Sequence, residues 1–450
     1  MQDGYSAAGR SDIMPKALIE TYGCTLNQAD SDIIESILRQ NGVDVARGEY
    51  GSNTDYDVVV VNTCTVKKAT EQRIRDRLRG MSHLGKRLIV TGCMASANCD
   101  IIEKTVGSAS IISTNNITNV YEAVKGSMDG NKVVYDSKNR TDKAAYVRPS
   151  GSVIARIPIS EGCLSSCNFC ETKFARGPLN SFSEELILKA VEMNVRGGAR
   201  EIELASQDTG AYGADRRTDI AWLVSRISEL EGEFMVRIGM LNPEHLHKYF
   251  DRLVEAYKSE KAYKFIHLPV QSGSNKVLGE MSRNYRIEEF EGYVDELRRK
   301  IPGITVETDI IVGYPTETDQ DFEETLGMME RVKPTITNIS KFGARPHASA
   351  SKLAQLSGNR INERSRRLAR MVKAMQHEEF SKFKGKKIKV LLTERNESSV
   401  AGRNISYLAV AVKNCGTKLG ESISVEISGN SYACLIGSQS KDLNIIKWKE

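Results

Sequence analysis

The chain has 450 residues, 40% of them hydrophobic and 27% charged, which is too long for one ordinary core and describes a globular protein of two to four domains. Its 63 Lys and Arg against 58 Asp and Glu leave a modest formal charge of +5, and no apolar run reaches the roughly eighteen residues of a membrane span, so no membrane partner is expected. Nine irregularly spaced cysteines do not make a secreted disulfide framework, and the polar first fifteen residues lack a signal peptide's apolar core, so a reducing, cytoplasmic setting is expected.

Residues 16 to about 126 alternate β-branched runs with helical patterns. Ala17–Thr21, Val58–Val61, Leu88–Val90 and Ile111–Ile112 read as buried parallel strands, and Asp30–Gln40, Thr70–Met81 and Asp100–Thr105 as helices between them. A small doubly wound parallel sheet is expected over 15–126. Cys24, Cys64 and Cys93 each follow a strand, one βα unit apart. Ligands bind off the carboxyl edge of such sheets, so three thiols delivered there make a candidate metal site. Three small cysteines that merely pack well at strand ends are the plainer reading. Cys99, on the next helical turn, is left aside as a spare thiol.

Residues 127–150 are polar and without periodicity, a linker with one short strand at Val133–Tyr135. From 151 to 383 the alternation resumes for six units. The strands are Val153–Ile159, Glu201–Ala205, Met235–Gly239, Lys264–Leu268, Ile304–Val312 and Thr335–Ser340. The helices are Ser183–Arg196, Asp219–Leu230, Pro243–Tyr257, Ile287–Lys300, Asp319–Arg331 and Asn362–Phe383. Six units fit a partial TIM-like (β/α)6 barrel, with its site at the carboxyl face.

The loop after the first of these strands carries Cys163, Cys167 and Cys170, spaced C-x3-C-x2-C. Three thiols are one short of a closed zinc site, whereas a [4Fe–4S] cluster held by three cysteines keeps one iron open for a ligand. A zinc completed by a distant histidine, or a disulfide with a spare thiol, are the alternatives. Other strand ends should line the same cavity: Ser206, Gln207 and Asp208; Asn242; Gln271 to Ser274; Asp309 within the fifth strand; and Arg345 beyond the sixth. Such groups can hold ribose hydroxyls or an amino acid's amine and carboxylate, although Ser272, Ser274 and Asp319 look equally like helix caps.

From Lys384 the pattern changes to short strands, Ile388–Leu392, Tyr407–Val412, Ser422–Ile427 and Tyr432–Ile436, which suggest a small oligonucleotide-binding β-barrel over 384–450. Eleven Lys and Arg face six Asp and Glu in that segment. Arg364, Arg366, Arg367, Arg370 and Lys373 on the preceding helix extend the basic surface, which is read as RNA-facing rather than as a solvated helix face.

The chain resembles the radical S-adenosylmethionine methylthiotransferases over about residues 15–440. The matching stretches are Thr-Tyr-Gly-Cys-Thr-Leu-Asn-Gln-Ala-Asp from Thr21, Val-Asn-Thr-Cys from Val61, Thr-Gly-Cys-Met-Ala from Thr91, the Cys163–Cys170 loop, His-Leu-Pro-Val-Gln-Ser-Gly-Ser from His267, and Asp-Ile-Ile-Val-Gly-Tyr-Pro from Asp309. The tail, with Ala-Gly-Arg-Asn-Ile-Ser-Tyr from Ala401, is similar to a TRAM RNA-binding domain. The stretch from Cys170 to Gly177 is most similar to the archaeal and eukaryotic branch that acts on N6-threonylcarbamoyladenosine at position 37 of tRNA. Where the family has Gly-Thr after Arg-Pro, this chain has His347-Ala348-Ser349.

The resemblance implies a methylthiotransferase domain, a radical S-adenosylmethionine domain and a TRAM domain in that order. It implies two [4Fe–4S] clusters, one on Cys163, Cys167 and Cys170 and one on Cys24, Cys64 and Cys93. The first cleaves S-adenosylmethionine to a 5′-deoxyadenosyl radical, and the second carries the sulfur, which a second S-adenosylmethionine methylates. Phe169, Gln207, Asp208, Gln271 and Asp309 are the expected cofactor contacts, with Phe169 equally able to pack in its own loop. Lys173, Arg176 and Arg345 are the expected substrate contacts, since a threonylcarbamoyl group ends in a carboxylate. A tRNA anticodon stem-loop, an electron donor and a sulfur donor are the implied partners. The same chemistry on isopentenyladenosine or a ribosomal protein, or a non-catalytic iron–sulfur RNA-binding regulator, are the alternatives.

Overall fold

The computed structural model describes residues 14–51 and 55–440. They form two compact units, one of residues up to 141 apart from 66–68, and one of 66–68 with the remainder.

In the first unit the strands are β1 (Lys16–Thr21), β2 (Asp44–Arg47), β3 (Val58–Thr63), β4 (Arg87–Gly92), β5 (Ser110–Ile112) and β6 (Val134–Tyr135). Among the described residues they make one all-parallel sheet in the order β2-β1-β3-β4-β5-β6. The direction of winding reverses at β1, as in doubly wound folds, and this places a crevice at the carboxyl ends of β1 and β3. The run Val58–Val61 is buried on both faces, which is why it reads as a continuous β-branched stretch. Helix α1 (Thr25–Gln40) presents Leu26, Ala29, Ile33, Ile37 and Leu38 to the core at helical spacing. It starts five residues before the expected Asp30, directly after Cys24. Helices α2 (Lys68–His83), α3 (Cys93–Ala97), α4 (Cys99–Thr105) and α5 (Val120–Met128) complete the βα alternation.

The second unit holds β7 (Ile154–Pro158), β8 (Ser160–Glu161), α6 (Thr172–Arg176), β9 (Asn180–Ser181), α7 (Glu184–Arg196), β10 (Glu201–Ala205), α8 (Ile220–Glu229), β11 (Met235–Arg237), α9 (Phe250–Ala256), β12 (Phe265–His267), α10 (Asn275–Glu280), α11 (Ile287–Lys300), β13 (Thr305–Val312), α12 (Asp319–Val332) and β14 (Ile336–Lys341). Strands β7, β10 and β11 pair in parallel, as do β12, β13 and β14, and the single bridges Val236↔Ala262 and Met240↔His267 join the two halves. The result is the six-stranded partial barrel. The helix expected over Pro243–Tyr257 is broken at Tyr249, whose backbone leaves the helical region while its buried hydroxyl donates to Gly210 O at 2.9 Å. A buried tertiary hydrogen bond outweighs one turn of helix there.

Helix α13 (Gly358–Ser381) leads to β15 (Lys387–Arg395), β16 (Ser399–Arg403), β17 (Ala409–Lys413), β18 (Ser422–Asn430) and β19 (Leu435–Gln439). Among the described residues these close into a barrel ordered β15-β16-β17-β19-β18, with Val390, Leu392, Val400, Val410, Val412, Val425 and Ile427 inside. The small barrel docks on the amino-terminal ends of the central strands. Tyr407, on the turn between β16 and β17, packs against Tyr263 and Phe265, and its hydroxyl donates to Glu203 at 2.8 Å and Glu201 at 3.1 Å. That end of the partial barrel is therefore plugged, and the opposite, carboxyl end carries the cysteine loop.

Candidate active site

The cysteine loop is stapled at its base. Strands β8 and β9 form a two-residue antiparallel hairpin, and Cys163 N donates to Gly177 O at 3.2 Å. Gly162 sits at φ 81°, and a Cβ there would fall 2.0 Å from Pro178 O, so no other residue lets the two ends of the loop meet. Glu161 accepts from both Lys143 Nζ and Arg176 Nη1 at 2.9 Å, all three side chains being buried. Gln207 Oε1 accepts from Gly162 N at 2.7 Å. On its far side the loop is held by Asn168, which donates from N to Met281 O and from Nδ2 to Glu280 O, and accepts at its carbonyl from Ala350 N.

Within this frame the thiols are half-buried. Burial, with Asp208 and Cys170 nearby, pushes the Cys163 thiol up to about 12. Burial raises Cys167 as well, opposed by Arg283, whose Nη1 stands 3.5 Å from the Cys167 sulfur. The Thr172 N–H points at the Cys170 sulfur at 3.4 Å. Half-buried thiols with a buried cation and a backbone donor turned toward their sulfurs suit thiolate ligation, in which bound iron replaces the protons. Among the described residues no three His, Cys, Asp or Glu side chains converge closely enough for a single metal ion.

In the first unit Cys24 follows β1, Cys64 follows β3 and Cys93 opens α3 after β4. One residue joins two of them. The thiols of Cys24 and Cys93 lie 3.9 and 3.7 Å from Asn27 Oδ1, while Asn27 Nδ2 donates to Tyr22 O and Thr63 O at 2.8 Å each. A Cβ on Gly23 would stand 3.1 Å from the Cys64 sulfur, which brings the first and second strand ends together. Three thiols from three strands therefore share one crevice. Cys99, at the start of α4, packs against the sheet's core instead.

Several residues expected at the cofactor or substrate are put to other uses. Arg176 is 0% exposed and belongs to the Glu161 staple. Arg345, 4% exposed, donates from Nε and Nη2 to Glu171 at 3.0 Å, so both guanidiniums bind carboxylates of the protein itself rather than facing a substrate carboxylate. Phe169 packs against Val277, Met281, Tyr314 and Ala350, from α10 with the residue that follows it and from the segments after β13 and β14. Asp208 caps Gly210 N and accepts from Asn242 N, both at 3.0 Å, with His245 Nε2 3.3 Å from its other oxygen. Gln271 is buried in a left-handed conformation, φ 73°.

Asp309 does face the barrel lumen, where it lies 3.1 Å from His267 and accepts from Asn338 at 2.9 Å. Burial disfavours a charged His267, but the Asp309 carboxylate and Glu307 outweigh it and raise the imidazole; burial is likewise outweighed at Asp309, which His267 holds low. Lys173 stays at the surface, donating to Leu164 O at 3.2 Å and Ser166 Oγ at 2.9 Å. On α13, Arg364 is buried against Glu317 and Asp319 and Arg367 pairs with Glu323, leaving Arg366, Arg370 and Lys373 exposed.

Asn27, Arg283 and Glu161 do not stand out in the sequence reading. Asn27, three residues after Cys24, is one of several polar residues at that helix start and carried no signal of its own; Arg283, 116 residues from its sulfur, carried none either.

Residues 16–113 match the model of uncharacterized protein family UPF0004, and residues 157–329 that of the Radical SAM superfamily. The chain is 42% identical over 383 residues, 84% of its own length and 89% of the relative's, to a probable threonylcarbamoyladenosine tRNA methylthiotransferase of Pyrococcus horikoshii. It is 39% identical to the protein so named in Archaeoglobus fulgidus, covering 94% of this chain and 98% of that one. To the threonylcarbamoyladenosine tRNA methylthiotransferase of Homo sapiens it is 31% identical, covering 96% and 75%. Among solved structures, a radical S-adenosylmethionine methyltransferase, TsrM, from Kitasatospora setae shares the fold at TM-score 0.56 and 13% identity, covering 75% of each chain. A cobalamin-dependent S-adenosylmethionine radical enzyme, OxsB, does so at 0.53 and 15%, covering 75% of this chain and 55% of that one.

Proposed function

This chain belongs to the threonylcarbamoyladenosine tRNA methylthiotransferase family, and we propose that it converts N6-threonylcarbamoyladenosine at position 37 of tRNA to its 2-methylthio derivative. The observation that carries this reading is the stapled three-thiol loop at the open mouth of a six-stranded barrel, in a chain so similar to these relatives along most of its length. Cys163, Cys167 and Cys170 would hold a [4Fe–4S] cluster, and Cys24, Cys64 and Cys93 a second. When bound, the first supplies one-electron cleavage of S-adenosylmethionine and the second supplies sulfur.

The chain's own residues do the positioning. Glu161, Gln207 and Asn168 fix the loop, so its three cysteines are held in place before any iron arrives. The small barrel closes the lower end of the lumen, and His267 and Asp309 present a fixed charge pair to whatever enters from the mouth. Lys173, rather than Arg176 or Arg345, is the cation left to meet the substrate carboxylate. The exposed cations of α13 and the small barrel serve the tRNA backbone. Electron and sulfur donors are required, and a cytoplasmic site follows from a tRNA substrate and thiolate-bound iron.

The test is mass spectrometry of nucleosides from tRNA incubated with iron-reconstituted protein, a reductant and S-adenosylmethionine. A methylthio group gained on threonylcarbamoyladenosine is the expected result. Release of 5′-deoxyadenosine with no such gain moves the activity to another substrate.

A further inference from the structure

Helix α6 turns Ala175 and Arg176 inward but Phe174 outward, leaving Phe174 60% exposed four residues after Cys170. Among the described residues only Tyr432 matches it among exposed large hydrophobic side chains. Its ring does not hang free: it stacks on His347, with centroids 4.9 Å apart and planes at 26°. His347 in turn sits on a segment clamped to the cysteine loop. Arg345 binds Glu171, Ser349 Oγ donates to Asn168 Oδ1 at 2.8 Å, and Ala350 N donates to Asn168 O at 2.9 Å. Lys173, the residue before Phe174, holds its ammonium against Leu164 O at 3.2 Å and Ser166 Oγ at 2.9 Å.

We infer that the Phe174–His347 stack is a platform for one unpaired nucleobase of the RNA substrate, the nucleotide next to the one being modified. Water-facing aromatic area does nothing for the fold, whereas any base offers a π-face to stack upon it, and proteins that grip single-stranded RNA combine such rings with nearby cations. The platform is rigid because both rings are anchored to one stapled loop, so little ordering cost remains when a base arrives. Its place on the loop that carries Cys163, Cys167 and Cys170 restricts the stacked base to a near neighbour of the reacting one. His347 also gives a role to the segment where this chain departs from the Gly-Thr of the family it resembles.

The inference rests on the tRNA reading above, and its experiment separates the two. Phe174→Ala, Phe174→Trp and His347→Gly are compared with wild type on an anticodon stem-loop bearing threonylcarbamoyladenosine, with 2-aminopurine placed on either side of it. Phe174→Ala should raise KM for the stem-loop by about 5- to 150-fold, the range that base–aromatic stacking supplies, with a smaller change in kcat. Wild type and Phe174→Trp should quench 2-aminopurine on one side of the target, Phe174→Ala should not, and His347→Gly should fall between. Phe174→Ala with wild-type iron content, unchanged KM and unchanged quenching overturns the platform. Should Phe174→Ala lose iron, His347→Gly decides by the same readouts. A wild type that modifies no stem-loop overturns the tRNA reading, and the platform with it.

Discussion

Cys163, Cys167 and Cys170 come from one loop pinched at its base, whereas Cys24, Cys64 and Cys93 come from three strand ends that a parallel sheet brings side by side. The loop set is local, and its geometry depends on a few contacts: the Gly162 approach, the Glu161 ion pairs and the Asn168 hydrogen bonds. The sheet set is non-local, and its geometry is inherited from strand pairing buried on both faces, with Asn27 as a polar link between two of the thiols. A local site is easily found and easily loosened; a sheet-edge site is hard to find and hard to disturb without unfolding its sheet.

The largest effect should come from deleting each set. Replacing Cys163, Cys167 and Cys170 by Ala should abolish 5′-deoxyadenosine formation. Replacing Cys24, Cys64 and Cys93 by Ala should leave about four irons per chain and 5′-deoxyadenosine formation, with no methylthio transfer. Iron and sulfide analysis with product quantitation checks both. Loss of all iron from the second triple variant would mean that the two sets are not separate sites.

Next come the polar links. Glu161→Gln takes the carboxylate from between two buried cations and should cost roughly 3 kcal/mol, with iron lost from the loop set. Asn27→Ala removes two hydrogen bonds to buried carbonyls, about 1–3 kcal/mol, and should lower iron at the sheet set while sparing 5′-deoxyadenosine formation. Denaturant unfolding and iron counts on each variant measure the two. Equal iron loss from both variants would erase the distinction between a local and an inherited site.

The same contrast explains what the sequence made legible. All six candidate ligands were readable because thiols are rare and each set kept a pattern, either tight spacing or one thiol per βα unit. The central strands were readable because strands buried on both faces are nearly all β-branched, as Val58–Val61 shows. β16 was missed because Ser-Val-Ala-Gly-Arg has neither bulk nor a long alternation, and α10 because six residues give too few turns for a period. Charge partners were the least legible. Arg176, Arg345 and Arg364 read as cations awaiting a substrate or RNA, and each instead binds a buried carboxylate that no local pattern assigns to it. Sequence gives the sign of a charge; only the folded contacts give its partner.

The smallest effect on the iron sites belongs to the plugged end of the barrel, and it serves as a control, because it lies across the barrel from the loop set. Burial, with Glu203 close by, pushes the Glu201 carboxyl up to about 7, against the pull of Arg403, Tyr263 and Tyr407. A folded-state value above the ordinary glutamate range means that, between that range and about pH 7, the unfolded chain has lost a proton that the folded chain keeps. Stability must therefore fall as pH rises through that window and level off above it, by about 3 kcal/mol at most. Glu201→Gln stays neutral throughout and keeps one oxygen to accept from a tyrosine hydroxyl, so its stability should not show that decline. Unfolding curves of the second unit's transition at pH 5, 6, 7 and 8 measure the difference in slope. Parallel slopes for wild type and variant would show that Glu201 ionises normally, while iron content should be the same in both proteins at every pH.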